Sequence, residues 1–321
     1  MSVKSFLRDH VLPEWVHVLY QKAYNRYIKT HPQYQAGRIY EDFLGRKLNW
    51  DNPQEYSEIG RWLQFNSDTS RWAELADKYL VRKFIEENGF AEYLPKLYGV
   101  WDDANKIDFA RLPKSFVLKT NHGSGEVIVV KDKMEIDEDD IRRRMNDYLH
   151  TPYGYLSAEP HYLKISPRIV AEELLKNTCP NSKTIVDYKI FCFLGEPFLV
   201  NICYDRDSKT HHCVDAWYDT KWNLLDRYLA FGPRGKEFEC PKSLQVMYDI
   251  CRVLTKDFPF VRLDFYDVNG RPYIGEMTFT PCGFNGDSLT EEARMEIGNL
   301  LDLTKIPSKM LKNPLPKNYK K

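Results

Sequence analysis

Most of the features that would sort this 321-residue chain quickly are missing. No uninterrupted apolar run approaches the ~18 residues that suggest a membrane span, and the opening "MSVKSFLRDHVLPEW" lacks a signal-peptide core. The expectation is a soluble, cytoplasmic protein. Neither sign of charge is in excess: 46 basic residues balance 46 acidic ones. Nothing therefore draws the whole chain toward nucleic acid, and charge arguments must be local. The seven cysteines are odd in number and include no C-x-x-C pair. Cys192, Cys203 and Cys251 lie in apolar contexts that suit reduced, buried thiols. "THHC" (Thr210 to Cys213) makes a poor zinc site, because His211 and His212 would point to opposite faces of a strand. Repeats, low-complexity tracts and a Walker A Gly-Lys-Ser/Thr are absent, and no Ser-His-Asp or Cys-His nucleophile is evident.

What is there changes texture along the chain. Helical apolar spacing runs from Phe6 to Ile28 with a break near Pro13, then through "NPQEYSEIGRWLQF". "SRWAELADKYLVRKFIEENGF" predicts one long amphipathic helix stopped at Asn88-Gly89. From residue 110 strands and helices interleave, with several hairpins, so the fold class is α+β with mainly antiparallel sheets. The tail "KIPSKMLKNPLPKNYKK" holds six lysines and no acid. It predicts a partly disordered end, or a weak polybasic contact with an anionic membrane surface.

The hairpin "VRLDFYDVNGRPYIGEMTFTP" (residues 261–281) carries two carboxylates in its strands. Alternation puts Val261, Leu263 and Phe265 on one face and Arg262, Asp264 and Tyr266 on the other. The second strand divides into Tyr273, Met277 and Phe279 against Ile274, Glu276 and Thr278. Matching the apolar faces brings Asp264 beside Glu276. A strict two-residue Asn269-Gly270 loop would pair residue 264 with 275, so the register requires an odd-length loop or a bulge, with Gly270 left-handed. Adjacent carboxylates need a shared proton, a basic partner or a divalent cation; a salt-bridged solvated face is the plain alternative.

A magnesium ion held this way usually faces phosphates. "FVLKTNHGSGEVIVV" offers a glycine loop, Gly123, Ser124 and Gly125, whose amides can approach anionic oxygens, with Lys119 at the end of the preceding strand. "DYKIFCF" sets Asp187 and Lys189 on one strand face, for ribose and phosphate or as a plain ion pair. "RIVAEELL" is apolar enough to line an adenine slot.

Taken in order, these pieces resemble an ATP-grasp enzyme, in which two α+β subdomains close on ATP. More closely, "NPQEYSEIGRWLQF", "LADKYLVRKFIEE", "FVLKTNHGSGEVIVV", "DYKIFCFLGEP" and "GEMTFTPCGF" resemble the TupA-like ATP-grasp family, associated with bacterial cell-surface polysaccharide genes. The resemblance covers roughly residues 40 to 303. It implies a mostly helical region over 1–109, an ATP-grasp domain over 110–304 (lobes 110–175 and 176–304) and a basic tail over 305–321. It further implies that Lys119 and Lys189 contact ATP phosphates beneath the loop Gly123 to Gly125. Glu172, Glu173, Leu174 and Leu175 would form the adenine hinge, with Asp187 near the ribose. Asp264 and Glu276 would ligate Mg2+, and Arg262 would stabilise the transferred phosphoryl group. Thr278 stands where many relatives have a metal-binding Asn.

The implied reaction is phosphoryl transfer to a carboxylate followed by attack of an amine. The expected partners are a sugar uronic acid and an amino acid or small amine. Arg206, with Trp217, Tyr218 and Trp222, is the candidate acceptor side, with packing of the three aromatics in the core as the plain alternative. Two rivals stay open: kinase-like transfer to a hydroxyl, and a glycosyltransferase using Asp205 and Asp207 of "DRD".

Overall fold

Alternating sequence in the second part of the chain forms two antiparallel sheets. The computed structural model describes residues 14–207, 210, 212–232 and 236–321; the expected helical start at Phe6 and its break at Pro13 lie outside them, as does His211. The first sheet holds β1 (Leu97–Trp101), β2 (Phe116–Thr120), β3 (Val127–Val130) and β4 (Ile169–Glu172), in the order β1-β4-β2-β3. The second holds β5 (Asp187–Phe193), β6 (Glu196–Tyr204), β7 (Val214–Tyr218), β8 (Phe260–Val268) and β9 (Arg271–Thr278), in the order β7-β6-β5-β8-β9.

Around them lie helices α1 (Glu14–Thr30), α2 (Pro32–Leu44), α3 (Tyr56–Asn66), α4 (Trp72–Ala76), α5 (Val81–Glu87), α6 (Glu138–His150), α7 (Leu244–Thr255) and α8 (Glu291–Leu300). None of the described helices is long and apolar enough to cross a membrane. The expected acidic first turn of α6 is present, and Asp137 caps it by accepting from the amides of Asp139 and Asp140.

The single helix expected between Trp72 and Asn88 is two. Asp77 breaks it: its side chain accepts from the amides of Tyr79 and Leu80 and also binds Asn121 Nδ2 at 2.8 Å. Asp is favoured there because its carboxylate closes a local turn on the amides two and three residues further on, and the next helix begins only at Val81. The Gly stop is as expected, with Gly89 at φ +86°.

Each sheet has a dry face and a charged one. Helix α7 buries Met247, Ile250 and Leu254 against Ile190, Leu263 and Phe265 of the second sheet. The opposite face is divided. One half packs Phe191, Leu199 and Trp217 under Ile59 and Leu63 of α3 and Ile297 of α8, while the other half carries the charges. In the first sheet, Leu118 and Ile128 pack against Ile141 and Met145 of α6, so alternation turns Lys119 to the other side.

Three further expectations need correction. Trp217, Tyr218 and Trp222 do not make one acceptor cluster: successive residues of β7 point to opposite faces, so Trp217 and Tyr218 enter different cores, and Trp222 stacks on Tyr218. The tail is ordered. Leu311 bridges to Ser67, Lys312 donates its amide to the Asn66 carbonyl, and Leu315 and Tyr319 pack on the core beneath α3. Cys203 is not a free thiol but forms a disulfide with Cys213, across a separation of 10 residues. The apolar context of β6 buries it, and the chain reversal between β6 and β7 brings its partner alongside.

Closing so short a loop stabilises by roughly 2–3 kcal/mol. Cys213→Ser is expected to lower the melting temperature by several degrees, and dithiothreitol should lower the wild type by a similar amount and leave the variant unchanged. Equal melting temperatures under all conditions would contradict this.

Candidate active site

Register builds the charged face row by row. Across the second sheet, Glu276, Asp264, Lys189, Asn201 and Trp217 are successive cross-strand partners. The next row is Tyr273, Tyr266, Asp187, Cys203 and Asp215. Asp264 does pair with Glu276. The turn is the strict two-residue one, with Val268 opposite Arg271 and Asn269 and Gly270 at φ +56° and +80°. The register is restored by a bulge between Asp264 and Phe265, opposite Gly275. The extra residue reverses parity on β9. Ile274 joins Met277 and Phe279 in the core, and Tyr273 moves to the face of Tyr266, opposite to strict alternation.

Asp264 lies in the fork of Arg262, with Nε to Oδ1 at 2.6 Å and Nη2 to Oδ2 at 2.7 Å. Lys189 Nζ adds bonds to Asp264 Oδ2 at 2.7 Å and to Asp187 Oδ2 at 2.5 Å. Arg262 Nη2 also reaches Glu276 Oε1 and Thr278 Oγ1, each at 3.3 Å. Glu276 faces the cleft with its side chain 30% exposed. Burial would raise its carboxyl, but Lys78, Arg262, Lys189 and Lys119 together hold it well below the usual range. Burial wins at Asp264, which is raised despite Arg262 and Lys189. Burial works against the Lys189 ammonium, yet Asp187 and Asp264 raise it. One carboxylate is thus firmly ionised at the surface of the site, and the other is held behind it by cations.

Lys78 is the link that sequence patterns miss. Its Nζ donates to the Gly123 carbonyl at 2.6 Å and lies 3.3 Å from Glu276 Oε2, tying the glycine loop to the hairpin. It hides within a stretch that reads as plain amphipathic helix, and it lies in the turn that Asp77 closes between α4 and α5. The loop is anchored by Asn121, which is fully buried and bonds Asp77, the Ser166 carbonyl and the Arg168 amide. A Cβ at Gly123 would lie 2.3 Å from Glu126 Oε2, so a side chain there would push the Glu126 carboxylate aside. Ser124 and Gly125 form the exposed tip.

The remaining expected residues form a second group on the first sheet. Lys119 Nζ pairs with Glu172 Oε2 at 2.5 Å, and Arg82, also unanticipated, takes Glu172 Oε1 at 3.0 Å. Glu173 donates its amide to the Lys96 carbonyl; Leu174 and Leu175 follow, half-exposed. Arg206 sits at the outer edge of the first group, 3.4 Å from Asp187 Oδ2. Asp205 and Asp207 serve their own loop: Asp205 Oδ1 accepts from the Lys183 amide at 2.6 Å, and Asp207 Oδ1 from that of Thr210 at 2.7 Å.

The two charged sheets with a glycine loop between them are those of an ATP-grasp enzyme. More particularly, the chain belongs to the TupA-like ATP-grasp family, whose profile matches residues 60–302. No protein of curated function matches the chain. Among solved structures it is similar to D-alanine–D-alanine ligase from Bacillus anthracis, at 15% identity and a TM-score of 0.44 over 73% of this chain and 66% of that one. It is also similar to the ATP-grasp ligase PsnB, solved with a phosphomimetic variant of its minimal precursor, Mg and ADP (10% identity, TM-score 0.42, 76% and 65%). A third is a RiPP-associated ATP-grasp ligase from Chryseobacterium gregarium, solved with ADP and a leader and core peptide (17%, 0.40, 74% and 62%). The chain spans a little under two thirds of the length of these three.

If Lys78 holds the loop, Lys78→Met should speed amide hydrogen exchange at residues 122–126 at least tenfold and leave β5 and β8 protected. Unchanged exchange in the loop would show that Lys78 does not restrain it.

Proposed function

We propose that the protein is an ATP- and magnesium-dependent carboxylate–amine ligase that forms an amide through an acyl phosphate. The observation that carries this reading is the Asp264–Glu276 pair, set on a bulged hairpin and surrounded by Arg262, Lys189 and Lys78. So many cations around two carboxylates suit a site built for a polyanion. The hard oxygen donors of Asp264 and Glu276, with Thr278 beside them, fit magnesium. Glu276 is open to the cleft, whereas Arg262 holds both oxygens of Asp264 and Lys189 one of them, so a metal reaches Asp264 as these cations turn toward phosphate. When bound, the metal supplies charge neutralisation at the β- and γ-phosphate oxygens.

The roles of this chain's residues follow. Lys119, Lys189 and the amides of Gly123, Ser124 and Gly125 hold phosphates; Lys78 is poised to join them. Glu172 to Leu175 line the adenine, and Asp187 takes the ribose. Residues 110–175, together with β1 beside β4, and residues 176–304 act as the two clasping lobes. A carboxylate oxygen attacks the γ-phosphorus as its bond to the ADP oxygen breaks, and Arg262 stabilises the charge on the transferred group. The amine then attacks the acyl carbon and phosphate leaves. Arg206 marks the acceptor side. The resemblance to polysaccharide-associated relatives supports a sugar uronic acid and an amino acid or small amine as substrates, and a cytoplasmic setting. The six tail lysines are all exposed, which is compatible with weak contact at the inner membrane face. Kinase-like transfer would use the same site. The loop bonds of Asp205 and Asp207 disfavour a glycosyltransferase.

A non-hydrolysable ATP analogue at ~100 times its Kd adds about 2.7 kcal/mol. With magnesium it should raise the melting temperature by several degrees, and Glu276→Gln should abolish the rise. Stabilisation by UDP-glucose instead, indifferent to Glu276, would overturn the proposal.

A further inference from the structure

The charged rows do not end at the proposed phosphoryl-transfer centre. Beyond Lys189 lies Asn201, its direct partner on β6, and Asn201 Nδ2 donates to Asp215 Oδ1 at 3.2 Å. Beyond Asp187 lies Cys203, and beyond Cys203 lies Asp215 itself. Strands are about 5 Å apart, so Asp215 stands some two strands from the proposed ribose and phosphate ligands, on the same face. It is half-buried rather than sealed. Burial raises its carboxyl above the usual range, against the pull of Asn201, Lys189 and Arg206.

Arg206 stands on the other side of the same cysteine. Its Nη2 lies 3.0 Å from the Cys203 sulfur, and a carboxylate oxygen of Asp215 lies within 4.8 Å of that sulfur. The disulfide thus separates a cation, 41% exposed, from an anion. Two buried polar atoms on this face have no hydrogen-bond partner among the described residues: Asp187 Oδ1 and Trp217 Nε1, each in a residue only 8% exposed. They flank Cys203 and Asn201 respectively in the two rows. A buried acceptor and a buried donor left unsatisfied are costly, which marks this face as one that favours polar ligands; Asp187 Oδ1 is answered by the ribose in the ligase reading.

Resting on the ligase reading, we propose that this edge of the sheet is the amine-donor subsite and that the donor is a free α-amino acid. Its ammonium sits on Asp215 and Asn201, and its carboxylate on Arg206. The opposite charges of a zwitterion then match the opposite charges on either side of Cys203, which a simple amine or a uronic acid does not do. The ammonium gives one proton to Asp215, and the resulting amine attacks the acyl carbon. The bond from the acyl carbon to the phosphate oxygen breaks, and the departing phosphate takes the second proton from the nitrogen. Asp215 is thereby a binding residue and the proton acceptor of the second half-reaction.

The test uses the full chain with Mg2+ and the non-hydrolysable ATP analogue. Saturation-transfer NMR is recorded with a pool of the twenty protein L-amino acids, with the N-acetyl derivative of whichever binds, and with glucuronate. The expected result is that at least one amino acid binds and its N-acetyl form does not. Asp215→Asn should weaken the amino acid at least tenfold while analogue affinity stays within threefold and glucuronate is unaffected. Equal binding of the N-acetyl form in the wild type overturns the proposal without recourse to a variant. So does an analogue-loaded wild type that binds no amino acid, or loss of glucuronate rather than amino acid in Asp215→Asn. Failure of the analogue itself to bind removes the ligase reading, and this inference with it.

Discussion

Everything in this molecule is arranged around a carboxylate that water cannot easily reach. Asp264 is 3% exposed and would be costly there alone. It is tolerated because Arg262 grips both of its oxygens and Lys189 binds one of them, each cation standing on the same sheet face by strand alternation. That arrangement draws in further groups. Lys189 needs Asp187, Arg262 reaches on to Glu276, and Glu276 meets Lys78, which holds the glycine loop. A chain of charge-assisted bonds therefore runs from the loop between β2 and β3 to the edge of the second sheet.

The bulge is what makes the chain of bonds possible. With the tight Asn269-Gly270 turn alone, Asp264 would face Gly275 and Glu276 would enter the core. One extra residue returns Glu276 to the charged face and sends Ile274 into the apolar one. A local backbone device thus reconciles a good turn with the Asp264–Glu276 pairing.

Much of this was legible in the sequence, for definite reasons. Period-two alternation in β5, β8 and β9 is strong, so the strands and the Asp264–Glu276 register follow from matching apolar faces. The need for a bulge follows from the turn length. The position of the bulge does not, because parity on either side of Gly275 looks equally good locally; strict alternation therefore puts Tyr273 and Ile274 on the wrong faces. Lys78 and Arg82 are invisible because a helix pattern accommodates cations on its exposed side, and only the tertiary bonds of Asp77 break that helix. The disulfide depends on the return of β7 beside β6, which spacing alone does not reveal. The ordered tail depends on Leu315 and Tyr319 finding a groove under α3, and lysine-rich composition conceals it.

The central claim is that this ionic network is a magnesium–nucleotide site awaiting phosphate. The most direct measurement is a manganese titration by electron paramagnetic resonance, in which Mn2+ stands in for Mg2+. The account predicts tight uptake of about one Mn2+ only when an ATP analogue is present, with marked weakening in both Asp264→Asn and Glu276→Gln. Uptake that ignores the nucleotide, or that survives both substitutions, would contradict it.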